Sequence, residues 1–336
     1  MSGRIRGGGR PTLEEVARRA GVGRGTVSRV VNGSAKVSEH TRAAVEAAVA
    51  ELGYVPDRAA RALAGNRADA VALVLPGPEG DDPGFAELVR GVGAVLAEAD
   101  MQLLLTPAGG DRRRLADRLA AYRVDGVLLP SVPPGDPLPA LLAERGTPLV
   151  VGGPRPAGGA AAGVDADHAG GARAAVRHLL ARGRTAIAAV AGPLDVPAAR
   201  SRLEGYRQAL AGAGRIPDEG LVAGGEFTEE GGRRAVAELL DRRPGLDAVF
   251  AASDLMAAGA RRELLARGRR IPGDVALVGF GDSAFARHLD PPLTTVRPPL
   301  RALGGEMARA LLDRIAGERE PVDVRLPAEL VVRGSS

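Results

Sequence analysis

The chain has 336 residues, enough for two or three domains, and 45% of them are hydrophobic, although only 2% are aromatic. It holds no cysteine, which excludes disulfides and thiolate chemistry, and no apolar run reaches membrane-spanning length. The formal charge of +4 is unevenly spread: residues 1–65 carry ten Arg and Lys36 against six Asp and Glu, a net of +5, and the rest is close to neutral, which is the footprint of a nucleic-acid contact at one end.

Residues 1–11 are rich in Gly and Arg and read as a disordered tail. They lack the apolar core of a signal peptide, so a cytoplasmic location is expected. Thr12 and Glu15 form a T-x-x-E capping box that starts a helix near Leu13. Leu13, Val16, Ala17 and Ala20 then fall on one apolar face, and Gly21-Val22-Gly23 turns the chain. A second helix from about Arg24 to Asn32 turns Val27, Val30 and Val31 inward and leaves Arg24, Thr26, Ser28, Arg29 and Asn32 outside. This is helix-turn-helix spacing, in which the second helix fits a DNA major groove. A third helix, capped by Ser38 and ended by Gly53, repeats the pattern with Val45, Ala48, Val49 and Leu52. Residues 57–65, with Asp57 as cap, read as a short helix too small to form unaided.

The ordered set Thr12-Leu13, Val16-Ala17, Ala20-Gly21-Val22, Thr26 through Asn32, Gly53-Tyr54, Pro56 and Leu63-Ala64-Gly65 resembles the headpiece of LacI/GalR bacterial transcription regulators. The resemblance implies a DNA-binding domain over 12–56 and a hinge helix over 57–66 that enters the minor groove, with Arg58 beside it and Leu63 as a wedge between bases. It implies base contacts from the first, second and sixth residues of the second helix. Arg24 and Arg29 can fork onto guanine, whereas Gly25 leaves one reader position blank. Thr12, Thr26, Ser28, Asn32 and Lys36 are the expected backbone contacts. Gly23 replaces the hydroxyl residue usual at the turn, which removes a helix cap.

From Ala68 the texture changes to apolar runs alternating with helical patterns. Residues 70–76, 102–107, 126–130, 148–153, 185–192, 248–253 and 275–282 read as buried parallel strands. Helices are predicted over 85–99, 111–122, 170–182, 198–213, 228–242 and 255–266. The fold class is therefore α/β: a helix-turn-helix headpiece, then a core over 67–336 with parallel sheets. The resemblance makes that core two-lobed and similar to periplasmic sugar-binding proteins. Lobe 1 is expected at about 67–163 plus 296–322, and lobe 2 at about 164–292 plus 323–336.

Clefts in open parallel sheets lie beyond the carboxyl ends of strands. The candidates there are Asp82, Phe85, Ser131, Arg202, Phe227, Ser253 and Asp282. Charged groups with one aromatic ring suit a sugar or nucleobase. The resemblance assigns effector contact to Arg202, Phe227, Ser253 and Asp282, and departs from this chain at Ser253 and Gly281, where the family often carries Asn and Asp. No cofactor is implied. His40, His168, His178 and His288 are too scattered for a metal set, GVGRG at 21–25 follows a helix rather than a strand, and no catalytic constellation has motif-grade support. The expectation is a homodimeric repressor that binds a pseudo-palindromic DNA operator under control of a sugar-like ligand. The alternatives are a ligand-binding protein with a vestigial headpiece, or a regulator controlled by a protein partner or by no effector.

Overall fold

The computed structural model describes residues 11–31, 36–54, 68–75, 84–122, 124–155, 161–317 and 323–336. The tail 1–10, Asn32, the expected hinge 57–66 with Arg58 and Leu63, and Asp82 lie outside the described residues. The chain divides into two compact units, Met1–Asp69 and Ala70–Ser336. Among the described residues no helix is long and apolar enough to cross a membrane.

The first unit is built from α1 (Leu13–Ala20), α2 (Arg24–Val31) and α3 (Glu39–Leu52). The Glu15 N–H donates to Thr12 Oγ1 at 3.3 Å and the Thr12 N–H donates to Glu15 Oε2 at 2.8 Å, so the capping box closes in both directions. Gly21 and Gly53 end α1 and α3 at φ 67 and 61, where a side chain would be strained. The predicted faces meet in one core: Val16, Ala17, Val27, Val30, Val45 and Ala48 are buried, joined by Tyr54. These aliphatic side chains are small, so each contributes toward the lower end of about 1.5–3 kcal/mol. Tyr54, which follows the cap of α3, supplies the largest single piece.

The second unit holds two six-stranded sheets. The first takes β1 (Ala70–Leu75), β2 (Gln102–Pro107), β3 (Gly126–Leu129), β4 (Leu149–Gly152), β5 (Ala162–Ala166) and β11 (Asp323–Leu326), in the order β11-β5-β4-β3-β1-β2. The second takes β6 (Ile187–Ala191), β7 (Val222–Gly224), β8 (Ala248–Ala251), β9 (Ala276–Phe280), β10 (Thr294–Arg297) and β12 (Glu329–Val331), in the order β12-β10-β9-β8-β6-β7. Every pairing is parallel except β10 with β12. Strand period two splits each core between two faces. Val71 and Leu73 join the cluster with α4 (Phe85–Glu98) and α11 (Leu300–Ala316), while Ala72 and Val74 join the cluster with α5 (Arg112–Ala121) and α6 (Leu138–Glu144). The second sheet is covered on one face by α7 (His168–Ala181) and α8 (Pro197–Gly212), and on the other by α9 (Glu229–Arg242) and α10 (Asp254–Ala266).

Three sheet assignments differ from the expected lobes. β5 pairs with β4, so the first sheet extends through Ala166 and does not stop at 163. β10 pairs with β9, so the second lobe runs on to Arg297. β11 pairs with β5 in the first sheet, and only the chain from β12 onward belongs to the second. The backbone thus crosses between lobes after Ala166, after Arg297 and between Leu326 and Glu329. The physical reason is common to the three segments. AGVDA, TTVR and DVRL lack the continuous apolar run of a strand covered on both faces.

Candidate functional site

The α2 helix begins at Arg24, directly after Gly23, whose carbonyl accepts from the Thr26 and Val27 N–H groups at 2.9 and 3.2 Å. Arg24 and Arg29 are exposed, Thr26 and Ser28 are half-buried, and Thr12 and Lys36 are exposed. The expected base readers therefore project from one short helix braced by α1. Arg24 also meets Glu14 of α1, with Nη1 3.2 Å from Oε1. A Cβ at Gly23 or Gly25 would meet nothing within 4 Å, so the blank reader position is open space.

In the core, four of the candidates, Arg202, Phe227, Ser253 and Asp282, belong to the lobe of the second sheet and lie toward the carboxyl ends of its strands. Arg202 on α8 donates from Nη1 to the Ala252 carbonyl beyond β8 at 2.7 Å. Its guanidinium lies 4.0 Å from the Phe280 ring centroid and 5.7 Å from that of Phe227. Its Nε approaches Nδ1 of His168 at 3.4 Å, and His168 Nε2 faces Asp165 Oδ1 at 3.4 Å. An arginine on Nδ1 requires that nitrogen to accept, so His168 is neutral with its proton on Nε2, donated to Asp165. Burial, seconded by the Arg202 charge, holds His168 below the ordinary histidine range. Arg202 is thus stacked and hydrogen-bonded by neighbouring protein groups, which fix a cation at the strand ends.

Phe227 sits in a backbone turn where it and Glu226 adopt φ 56 and 54, a conformation unfavourable for side-chain-bearing residues. Its ring occupies the space a side chain at position 192 would need: a Cβ on Gly192 would stand 2.4 Å from Phe227 Cζ. Ser253 caps α10, its Oγ accepting from the Met256 N–H at 3.2 Å. Asp282, at φ 49, is held by Arg333 and by Arg297, the latter through Nε at 2.6 Å. Burial alone would raise its pKa, but the two guanidiniums outweigh burial and hold the carboxyl below the usual range. Both oxygens are therefore engaged by arginines on or after strands that border lobe crossings. Phe85 opens α4 and packs against the first-sheet core, while Ser131 follows β3 and is exposed. Among the described residues, no cluster of three or more His, Asp or Glu could hold a metal.

Four participants escaped sequence reasoning. His168 and Asp165 belong to D-A-D-H, in which Asp165 lies near the end of β5 and His168 opens the glycine-bearing helix α7, so the strand-to-helix turn brings them together. Phe280 closes an apolar strand and is indistinguishable from core by pattern. Asp254 follows Ser253 and is buried under the cluster, accepting from Thr295 Oγ1 at 2.5 Å and from the Ser283 N–H at 2.6 Å.

A helix-turn-helix bearing exposed arginines, carried in one chain with two parallel-sheet lobes and a preorganised cation–aromatic cluster, defines a DNA-binding regulator with a ligand-binding core. The chain belongs to the lacI family of bacterial regulatory proteins: residues 12–57 match that family's model, and residues 176–336 match the periplasmic binding protein-like domain. It is 51% identical over 335 residues to the HTH-type transcriptional regulator CelR of Thermobifida fusca, covering 97% of this chain and 98% of that protein. It is 35% identical to the ribose operon repressor of Escherichia coli (strain K12), covering 97% and 99%. Among solved structures, a CelR–cellobiose complex matches at 50% identity with a TM-score of 0.76, covering 97% of this chain and all (100%) of that one. The lac repressor dimer bound to operator and the anti-inducer ONPF matches at 29% identity with a TM-score of 0.84, covering 97% and 99%. These close relatives are transcriptional regulators, not enzymes.

Proposed function

We propose that this regulator is a cytoplasmic, homodimeric repressor whose operator affinity is set by a glucoside of the cellobiose class bound at the Arg202 cluster. The observation that carries the ligand reading is the fixed guanidinium between Phe280 and Phe227 at the strand ends. Arg202 offers N–H donors to hydroxyls and the Phe227 ring offers an apolar face to a pyranose, the combination that orients a sugar. The CelR relative solved with cellobiose, similar over nearly the whole chain, supports that ligand class. In the headpiece, Arg24 and Arg29 read guanine in the major groove. Thr12, Thr26, Ser28, Asn32 and Lys36 hold phosphates, and Leu63 from each chain wedges the centre of a pseudo-palindrome.

Two apolar surfaces suit a second copy of the chain. Leu104 and Leu105 are 37% and 46% exposed on β2, the edge strand of the first sheet. A groove of about 470 Å³ on the second lobe is lined by Leu255, Ala258, Leu265, Phe285 and Leu289, with Arg261, Arg262 and Glu229. Dimerisation would cover both, and the dimeric lac repressor relative supports this assembly.

The test pairs selection of duplexes from a random pool with a melting screen against cellobiose, other glucosides, ribose and nucleosides. A shared pseudo-palindrome with guanine in each half-site, together with a melting shift for a glucoside, is expected. Retention of DNA without any shared sequence, or a shift only with nucleosides, would overturn the proposal.

A further inference from the structure

The recognition helix α2 lacks two things a helix start ordinarily carries. No acidic residue stands in its first turn, and position 23 is a glycine that offers no side-chain cap. A negative charge comes to the first residue of that helix from another helix: Glu14 of α1, whose carboxylate meets Arg24 Nη1 at 3.2 Å. Both side chains are more than half exposed, at 71% for Arg24 and 54% for Glu14, so the pair contributes little to stability. Its position is more informative than its energy. Arg24 is the first side chain of the reading helix, and the neighbouring reader position is Gly25, with nothing near it.

We propose that Glu14 is a specificity residue of the DNA interface: it holds the Arg24 guanidinium and denies it to phosphate, so that Arg24 favours guanine. This rests on the reading that Arg24 contacts a base. A guanidinium has five N–H groups in a fixed fork. With Nη1 turned to Glu14, the Nε and Nη2 edge remains to fork onto guanine O6 and N7. A base edge carries no net charge and leaves the Glu14 contact in place. A phosphate brings a negative charge beside Glu14, so it must either displace the carboxylate or suffer its repulsion. Glu14 thus penalises backbone docking more than base docking, and it orients an arginine that has no side-chain neighbour at position 25. The carboxylate supplies the discrimination that a blank reader position cannot.

The test compares the full-length protein with Glu14→Gln and Arg24→Ala, with affinities for the selected operator and for random duplex measured over a range of salt. Glutamine keeps the size of an exposed side chain and removes its charge. Glu14→Gln is expected to tighten random-duplex binding about three- to tenfold while changing operator binding less, so that the ratio of the two falls. The random-duplex salt slope should steepen by about one, the signature of one added phosphate contact. An equal change in both affinities with an unchanged slope would overturn the proposal and leave Glu14 a plain surface ion pair. Arg24→Ala separates the two layers. It should abolish one guanine preference per half-site, and retention of every preference would refute both the base contact and the role given to Glu14.

Discussion

Gly192→Ala tests whether the Phe227 ring is a built part of the ligand site. The added methyl would stand 2.4 Å from Phe227 Cζ and 2.5 Å from Cε1, well inside van der Waals contact. The ring cannot retreat easily, because it also packs against the second-lobe core and its backbone, with that of Glu226, is already at positive φ. Relief must come from rotating the ring out or shifting the turn, at an overpacking cost of about 1–3 kcal/mol. A displaced ring would forfeit the apolar contact proposed between it and the sugar, and losing about half of the roughly 1.5–3 kcal/mol that burying an aromatic side chain contributes should lower glucoside affinity about tenfold. The assay is calorimetric titration with cellobiose alongside urea denaturation, on Gly192→Ala, Phe227→Ala and the double variant. With the ring removed the methyl has space, so its stability cost should largely vanish in the Phe227→Ala background. Equal costs of Gly192→Ala with and without the ring, or unchanged ligand affinity, would show that the ring is not a built part of the ligand site.

Asp282→Asn should destabilise the core by roughly 2–3 kcal/mol, less than a fully buried pair would lose because Arg297 reaches solvent, with urea midpoints as the readout. The pH dependence of the same variant follows from the sign of its shift. The native carboxyl lies below its unfolded value, so its stabilisation is present above the unfolded pKa and is lost as pH falls through the folded one. Asp282→Asn should flatten that acid limb. His168 is also held low, by burial and Arg202. Below its unfolded value the unfolded chain binds the extra proton, so stability should fall as pH drops beneath about 6.5, and His168→Gln should weaken that slope. Thr295→Val removes a donor from the buried Asp254 carboxylate and should cost about 1–3 kcal/mol; a neutral result would mean that solvent reaches the site.

The headpiece was legible because its signals are local. Thr12 with Glu15, Gly21 and Gly53 are caps whose partners lie within a few residues, and three apolar faces in register leave one way to close a core. The central strands were equally plain, since coverage on both faces demands continuous Val, Leu and Ala. Legibility failed where pairing is non-local. β11 is a charged edge strand whose partner, β5, lies about 160 residues earlier, and the lobe boundaries moved with it. The site divided along the same line. Arg202 and Phe227 were reachable through strand ends, but the neutral His168 that accepts from Arg202 and the arginines that occupy Asp282 depend on contacts between distant segments. Asp282 was reachable at the end of β9, but the two arginines that hold its carboxylate, Arg297 and Arg333, come from the chain bordering two lobe crossings.

The most direct test of a ligand-responsive regulator is to measure operator affinity with and without saturating cellobiose, and cellobiose affinity with and without operator. The two pairs must change by the same factor, because coupling between binding sites is reciprocal. A change of about fivefold or more, equal in both directions and lost in Arg202→Ala, is the predicted result. Operator affinity indifferent to a sugar that demonstrably binds would contradict the account, since the core would then hold a ligand without informing the headpiece.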